Sequence, residues 1–256
     1  MKNTDKFTGL ASHYASARPS YSKQLIDYLY EQCGFTEKSV IADIGSGTGK
    51  FAKLLLERGS FVYGVEPNKD MRDMAMKELG QFTHFKALTG SDSATGLMPK
   101  SVDFVTVAQA FHWFDEVAFQ WECSRILKPE GKVFLIWNVR DQNALLNQRM
   151  HQLFEKYCPN FPGFSGWMQR DDYKINSFFN KQYEVISFSD PLFFTKEKYI
   201  QRCLSASYSL QKGEPKFDEY VKEIEQLFNE YAVGNLVEMP NQVIAYVGYP
   251  TSLLKS

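Results

Sequence analysis

Residues 40–49 read Val-Ile-Ala-Asp-Ile-Gly-Ser-Gly-Thr-Gly, and this stretch decides the fold. The apolar run over 40–44 predicts a short buried strand. The three glycines that follow at a spacing of two predict a sharp turn whose backbone can approach a ligand closely. Apolar side chains at Phe51, Leu54 and Leu55 have helical spacing, so a helix is expected directly after the turn. The start of that helix offers free N–H groups to a ligand.

The first half of the chain continues this alternation of strands and helices. Apolar runs predict further strands over 61–65, 83–88, 102–108 and 132–137. Asn68 and Asp115 stand where they can cap the helices between those strands. Apolar strands that alternate with helices predict a parallel sheet covered on both faces. The carboxyl ends of such strands form a crevice, and the glycine-rich turn lies at that edge.

The second half of the chain does not continue the regular alternation of strands and helices. Helices are expected over 142–157, 196–205 and 217–231, strands over 183–188 and 243–249, and a loop rich in Phe, Pro and Gly over 159–167. No linker separates the two halves, so we expect a single domain over 1–256 with helical insertions. The last strand of the sheet is expected near Val243.

Composition excludes several classes of protein. The 256 residues carry a net charge of -1 with scattered Lys and Arg, which argues against a nucleic-acid partner. No apolar run approaches the roughly 20 residues that span a bilayer, and residues 1–9 are too polar for a signal peptide. The four cysteines are far apart, which argues against a zinc cluster or a disulfide framework. We therefore expect a cytoplasmic protein without a metal site, and the oligomeric state stays open.

The glycine pattern and one acidic residue indicate the kind of ligand. A dinucleotide site of the form G-x-G-x-x-G would need glycine at the position of Lys50, and no phosphate-loop G-K-[ST] follows a matching spacer. Glu66 stands at the end of the second predicted strand, where a carboxylate can accept both hydroxyls of a ribose. The chain thus has a strand, a glycine-rich turn, a helix, a second strand and an acidic residue in this order. That order indicates a nucleoside site. The alternative is an ordinary tight turn with a surface glutamate.

Three segments resemble a known family. Residues 41–49 resemble motif I of class I S-adenosylmethionine (SAM)-dependent methyltransferases, and 64–68 with Met71 resemble their second motif. Residues 101–114 resemble the fourth-strand segment of the type 11 subfamily, which includes trans-aconitate methyltransferase-like proteins. In addition, the start of the chain, with Phe7, Tyr14 and Arg18-Pro19, resembles that subfamily. The resemblance covers 7 to about 138. It implies a Rossmann-like α/β fold whose seven-stranded sheet is mostly parallel with an antiparallel last strand.

The resemblance also implies which residues bind SAM, and its product S-adenosylhomocysteine (SAH). The implied cofactor contacts are Tyr14, Arg18, Asp43, Gly45, Ser46, Gly47, Gly49, Glu66, Pro67, Met71, Asp92, Ser93, Gln109 and Ala110. Asp43 and the three glycines would hold the methionine part, Glu66 the ribose, and Met71 the adenine. Relatives usually have an acidic residue at the position that Ser93 occupies in this chain. Here the acidic residue is Asp92, one position before it. Either of these two residues can be the adenine contact.

Methyl transfer from SAM is an in-line displacement, so the protein mainly supplies position and a dry site. Aromatic faces stabilise the cationic sulfonium, and Trp113 and Trp137 are the candidates for the substrate side. Core packing is the alternative for both. His112 is the candidate general base, with a structural histidine as the alternative. A base is needed only if the acceptor arrives protonated.

The sequence thus predicts a SAM-dependent methyltransferase that acts on a small organic molecule with an apolar part. Its acceptor can be a carboxylate, a hydroxyl or an amine. Residues 1–138 are expected to form the SAM-binding core, and 139–182 and 190–235 a helical cap for the substrate. The alternatives are a SAM- or SAH-binding protein without transferase activity, an NAD oxidoreductase, which Lys50 argues against, and a pure interaction module.

Overall fold

The computed structural model describes residues 21–164 and 168–250, with the backbone alone for 168–172. The described strands, in chain order, are β1 (Val40–Ile44), β2 (Phe61–Val65), β3 (Phe85–Leu88), β4 (Val102–Ala108), β5 (Leu127–Arg140), β6 (Tyr183–Ser189), β7 (Leu192–Phe194), β8 (Ala232–Val233), β9 (Leu236–Met239) and β10 (Asn241–Gly248).

The described helices lie between these strands. They are α1 (Lys23–Gln32), α2 (Lys50–Glu57), α3 (Lys69–Leu79), α4 (Glu116–Ile126), α5 (Leu145–Tyr157), α6 (Met168–Phe178), α7 (Lys196–Leu204) and α8 (Phe217–Tyr231). Asn68 and Asp115 cap α3 and α4 as predicted, since each side chain accepts a hydrogen bond from a backbone N–H of the first turn. No helix within 21–164 and 168–250 combines the length and the apolar character that crossing a bilayer requires.

Seven strands form one sheet in the order β3-β2-β1-β4-β5-β10-β6. β1 pairs in parallel with both β2 and β4, β2 pairs in parallel with β3, and β4 with β5. The sheet is mostly parallel with one antiparallel strand, and this confirms the predicted Rossmann-like fold. The strand order reverses between β1 and β4, and in such sheets ligands bind at the carboxyl ends of the strands beside that reversal.

The described residues group into two compact units. One unit contains 21–138, 170–188 and 243–250, and the other contains the described residues of 139–169 together with 189–242. The seven-stranded sheet belongs to the first unit. The second unit holds α5, α7, α8 and a small sheet in the order β7-β9-β8. The assignment of 139–182 and 190–235 to a substrate cap stays a prediction.

Aromatic packing fixes the centre of the first unit. Phe35 stacks on Phe104 of β4 with ring centroids 4.0 Å apart, and it forms a perpendicular pair with Phe134 of β5 at a centroid distance of 5.0 Å. Phe104 and Phe134 lie on neighbouring strands, so the ring of Phe35 covers the pair. The three rings belong to the hydrophobic core of this unit.

Some elements differ from the sequence prediction. The fifth strand was expected over 132–137 but begins directly after α4, because Leu127 already has extended backbone and Pro129 disfavours a helical residue before it. α1, α6 and the small sheet were not predicted. β7, β8 and β9 are two to four residues long, and such short strands carry too few side chains to show an alternating pattern.

Gly49 is required by helix packing, and a substitution tests this. Its φ is +81°, and a Cβ there would lie 2.4 Å from Cδ1 of buried Leu79 on α3. Gly96 has a similar φ of +75° with nothing within 4 Å of a Cβ. Gly49→Ala should therefore destabilise the protein by about 1–3 kcal/mol more than Gly96→Ala, because only Gly49→Ala adds overpacking to the backbone strain.

The measurement is urea unfolding of both variants and the wild type. An equal loss of stability in the two variants would show that α2 and α3 separate easily at this point.

Candidate functional site

The glycine-rich turn is held against the end of β2. The N–H groups of Gly45 and Ser46 both donate to the carbonyl of Val65, at 2.8 and 3.2 Å. A Cβ on Gly45 would lie 2.6 Å from the Cβ of Ala110, so the turn can approach the segment after β4 only as glycine. A Cβ on Gly47, at φ +55°, would meet nothing within 4 Å. Gly47 therefore presents bare backbone to open space.

That open space is a cavity of about 220 Å³ at the carboxyl ends of the central strands. The predicted cofactor contacts that line it are Asp43, Gly45, Ser46, Gly47, Glu66, Pro67, Met71, Asp92, Gln109 and Ala110. Gly49 and Ser93 are predicted contacts that do not line it. Tyr14 and Arg18 lie outside the described residues. The structure thus brings ten of the predicted residues together around one space.

Asp43 places a buried carboxyl group on the wall of this cavity. Its side chain is 1% exposed, and Oδ1 accepts a hydrogen bond of 2.8 Å from the hydroxyl of Thr106. Oδ2 is buried and has no hydrogen-bond partner of ordinary geometry among the described residues, although the amide of Ala52 is near enough to favour the charged form. Burial raises the pKa of Asp43 to about 7, and the charge of Glu66 adds to the rise.

Glu66 lies across the turn from Asp43. Oε2 accepts the N–H of Gly47 at 3.0 Å, and Oε1 accepts the N–H of Asn68 at 2.8 Å. Burial raises the pKa of Glu66, and the two amides and the charge of Arg72 oppose the rise. Each carboxylate oxygen has a second lone pair, so the side chain still has acceptor capacity for a ligand.

Gln109 carries strained backbone at the end of β4. Its φ is +61°, a conformation that few residues other than glycine adopt. Two hydrogen bonds hold it: its N–H donates to the carbonyl of Ile136 at 2.9 Å, and its Nε2 donates to the carbonyl of Asn138 at 3.1 Å. The strain turns the chain so that Ala110 meets Gly45. Backbone strain that lies beside a cavity is a common feature of ligand sites.

Asp92 and Ser93 differ in their surroundings. Asp92 lines the cavity, and its Oδ2 accepts the N–H of Asp115 at 2.8 Å. The hydroxyl of Ser93 is exposed and lies 3.2 Å from that of Ser91. A hydrogen bond from the N-cap residue of α4 thus fixes the acidic side chain at the cavity wall.

The predicted substrate and base residues lie in or near a short 3-10 turn, Phe111–Trp113. Trp113 lines the cavity and is 42% exposed. His112 is half-buried with its ring 4.8 Å from that of Trp113, and it does not line the cavity. Trp137 is fully buried, with its ring against Tyr246 and Phe111, and it too does not line the cavity.

Several cavity residues were not predicted from the sequence. The additional lining residues are Tyr21, Thr48, Lys50, Phe51, Ser91, Ala108 and Phe114. Thr106, which holds Asp43, was missed as well. It stands opposite Asp43 in the pairing of β4 with β1, and it is a polar residue inside an apolar strand. That break in the apolar pattern was the available signal.

Comparisons with known proteins agree with this geometry. The model of a family described as "Methyltransferase domain" matches residues 42–135. An uncharacterized methyltransferase-like protein of Schizosaccharomyces pombe is 29% identical over 222 residues, which cover 84% of this chain and 86% of that protein. An uncharacterized methyltransferase of Geobacillus thermodenitrificans is 32% identical over 152 residues, which cover 55% of this chain and 69% of that protein.

Other relatives are covered less completely. The chain spans 53% of an uncharacterized methyltransferase of Mycobacterium bovis, at 38% identity. Among solved structures, a putative type II methyltransferase from Anaeromyxobacter dehalogenans has a TM-score of 0.59 at 18% identity, with 90% of this chain and 95% of that chain covered. This likeness concerns the fold alone.

The sheet has a glycine-rich turn at the point where its strand order reverses. This arrangement is that of a nucleoside-binding α/β protein. The chain belongs to the SAM-dependent methyltransferases of class I, in the group that the methyltransferase-domain model describes. Its cofactor is SAM.

The raised pKa of Asp43 predicts a pH-dependent stability. The folded-state pKa of about 7 lies above the ordinary aspartate value of 3.8, so the folded state binds the proton more tightly than the unfolded chain. Stability from this group is therefore greatest at low pH and falls as pH rises towards 7. Between pH 5 and pH 8 the wild type should lose about 2–3 kcal/mol relative to Asp43→Asn, which cannot ionise.

Urea unfolding of the free protein across this pH range measures the difference. Thr106→Val removes a hydrogen bond that lowers the pKa of Asp43. The stability of this variant should therefore go on falling to a higher pH than that of the wild type. Parallel stability profiles for wild type and Asp43→Asn would mean that the buried carboxyl is ionised throughout.

Proposed function

We propose that the cavity at the glycine-rich turn binds SAM, and that the enzyme transfers its sulfonium methyl group to a small organic molecule with an apolar part. The observation that carries the proposal is that Gly47, which has no side chain, lines one cavity together with two buried carboxyl groups, those of Asp43 and Glu66. A ligand with a positive charge and sugar hydroxyls suits these acceptors.

The chemistry of the lining residues fits SAM. Oδ2 of Asp43 has no hydrogen-bond partner of ordinary geometry among the described residues and suits the cationic methionine part. The remaining lone pairs of Glu66 suit the ribose hydroxyls. Met71 is buried beside them and offers an apolar surface to the adenine ring. Asp92 lines the cavity, which favours it over Ser93 as the adenine contact.

The bound cofactor supplies an activated methyl group, so the work of the protein is positioning and exclusion of water. Gln109, whose backbone is strained, and Ala110, which meets Gly45 of the turn, line the cavity. Trp113 and Phe114 offer aromatic faces, which stabilise a nearby cation by roughly 0.5–2 kcal/mol. Good orientation of the reacting groups contributes about 7–11 kcal/mol.

The acceptor is proposed to be a small molecule because aromatic side chains line the cavity and the chain has a net charge of -1. A polyanionic partner such as a nucleic acid would need a basic surface. A carboxylate acceptor requires no base. For a hydroxyl or an amine, His112 is the candidate base, since it adjoins Trp113.

Calorimetric titration with SAM and SAH tests the cofactor site. Glu66→Gln keeps the size of the side chain but removes the charge and one acceptor oxygen. It should raise the dissociation constant of both ligands roughly 10–100-fold, since hydrogen bonds to charged groups contribute about 1.5–3 kcal/mol. Glu57→Gln, on the exposed surface of α2, is the matched control and should bind like the wild type.

Unchanged affinity in Glu66→Gln would place the ribose elsewhere. A thermal melt of both variants separates loss of ligand contacts from loss of the fold.

Turnover tests the class of acceptor. The purified enzyme is incubated with SAM and a panel of apolar carboxylic acids, phenols and amines, with an RNA oligonucleotide in a parallel series, and SAH formation is measured. Stimulation of SAH formation by a small apolar acceptor and not by RNA is the expected result. Tight RNA binding with RNA-dependent SAH formation would overturn the proposed acceptor class. SAM binding without turnover on any acceptor would favour a binding protein without transferase activity.

A further inference from the structure

The second unit contains an arginine in apolar surroundings. Arg140 ends β5, and its Nη1 contacts the sulfur of Met150 at 3.6 Å. Its guanidinium group lies 4.2 Å from the ring centroid of Phe164. Thioether sulfur is a weak acceptor and an aromatic face satisfies no N–H fully. Most of the five N–H donors of Arg140 thus have no strong acceptor in the described part of the chain.

A second arginine in this unit has similar surroundings. Arg202 on α7 lies with its guanidinium 5.7 Å from the ring centroid of Phe194. Its Nε is buried without a hydrogen-bond partner among the described residues. Tyr199, one helical turn earlier, is fully buried, and its hydroxyl also has no described partner. Burial raises the pKa of Tyr199, so the hydroxyl keeps its proton and remains a donor.

Within the described part of the chain, no acidic side chain forms an ion pair with either of these two cations. Burial lowers the pKa of Arg140, and the positive charge of Arg202 lowers it further. Arg149 in the same unit, by contrast, faces Glu230 at 3.3 Å. Two interacting cations without a counter-ion are unfavourable in an apolar setting, so an anion there would be bound strongly.

We propose that Arg140, Arg202 and Tyr199 form a binding site for the carboxylate group of an organic anion with an apolar body. The planar guanidinium fork matches a carboxylate, and the hydroxyl of Tyr199 adds a further donor. The rings of Phe164 and Phe194 supply the surface for the apolar body. A carboxylate fits these rings better than a phosphate, because a single negative charge costs less to remove from water. The proposal stands on the second unit alone and does not depend on SAM.

The probe is 3-phenylpropionate, with 3-phenylpropanamide as its neutral counterpart and inorganic phosphate as the second anion. Binding to the full chain is measured by calorimetry at constant ionic strength. The variants are Arg140→Met and Arg202→Met, which keep much of the side-chain length and remove the charge. Arg149→Met, at an exposed position of α5, is the matched control.

We expect saturable binding of 3-phenylpropionate to the wild type and to Arg149→Met, with at least a tenfold higher dissociation constant in Arg140→Met and in Arg202→Met. The amide and phosphate should bind at least tenfold more weakly than the acid. Without ligand, both variants should melt at or above the wild-type temperature, because a repulsion between like charges is removed.

Equal binding of acid and amide, or stronger binding of phosphate, would overturn the carboxylate assignment. A large drop in melting temperature for Arg140→Met or Arg202→Met would show that the arginines have a structural counter-ion. SAM titration of the same variants distinguishes the two proposals, since cofactor affinity belongs to the other unit.

Discussion

The hydrogen bond between Thr106 and Asp43 is the constraint on which the site depends. It joins the two central strands at the point where the strand order reverses, and it lies beneath the cavity. A carboxyl group 1% exposed is unfavourable when it is ionised, and one hydroxyl compensates only part of that cost. The fold therefore keeps an acid at the wall of the cavity, and in the described part of the chain its Oδ2 has no hydrogen-bond partner of ordinary geometry. The glycine-rich turn leaves room for a ligand beside it.

The three glycines of the turn meet three different requirements. Gly45 allows the backbone to approach Ala110, Gly47 leaves the cavity open, and Gly49 lets α2 begin against Leu79 of α3. Gly45 and Gly49 are needed for close packing between elements of the protein, and Gly47 faces the space for the ligand. A glycine pattern that is characteristic of a binding motif is thus to a large extent a pattern of close approaches within the protein.

The sequence predicted the first unit well because its strands are short apolar runs bounded by glycine or by helix-capping residues. β1, β2 and β4 have the predicted bounds. Ten predicted cofactor contacts line one cavity because the motifs stand at the carboxyl ends of adjacent parallel strands. Tyr21 and Phe51 were missed since nothing in a linear pattern separates an aromatic residue of the core from one at a cavity. The two cations of the second unit were missed for a related reason. A lone arginine is normally solvated, and only three-dimensional packing reveals that Arg140 and Arg202 have no ion-pair partner among the residues that the structure describes.

The protonation of Asp43 has a consequence for the heat of binding. A carboxyl group whose pKa is about 7 is only partly ionised in the free protein at neutral pH. A cation that binds against it favours the ionised form, so binding releases a fraction of a proton into solution. The buffer takes up that proton, and the apparent enthalpy of binding then varies with the ionisation enthalpy of the buffer. The slope of that variation counts the protons released and thereby reports, without any mutation, whether a positively charged ligand has reached this carboxyl group.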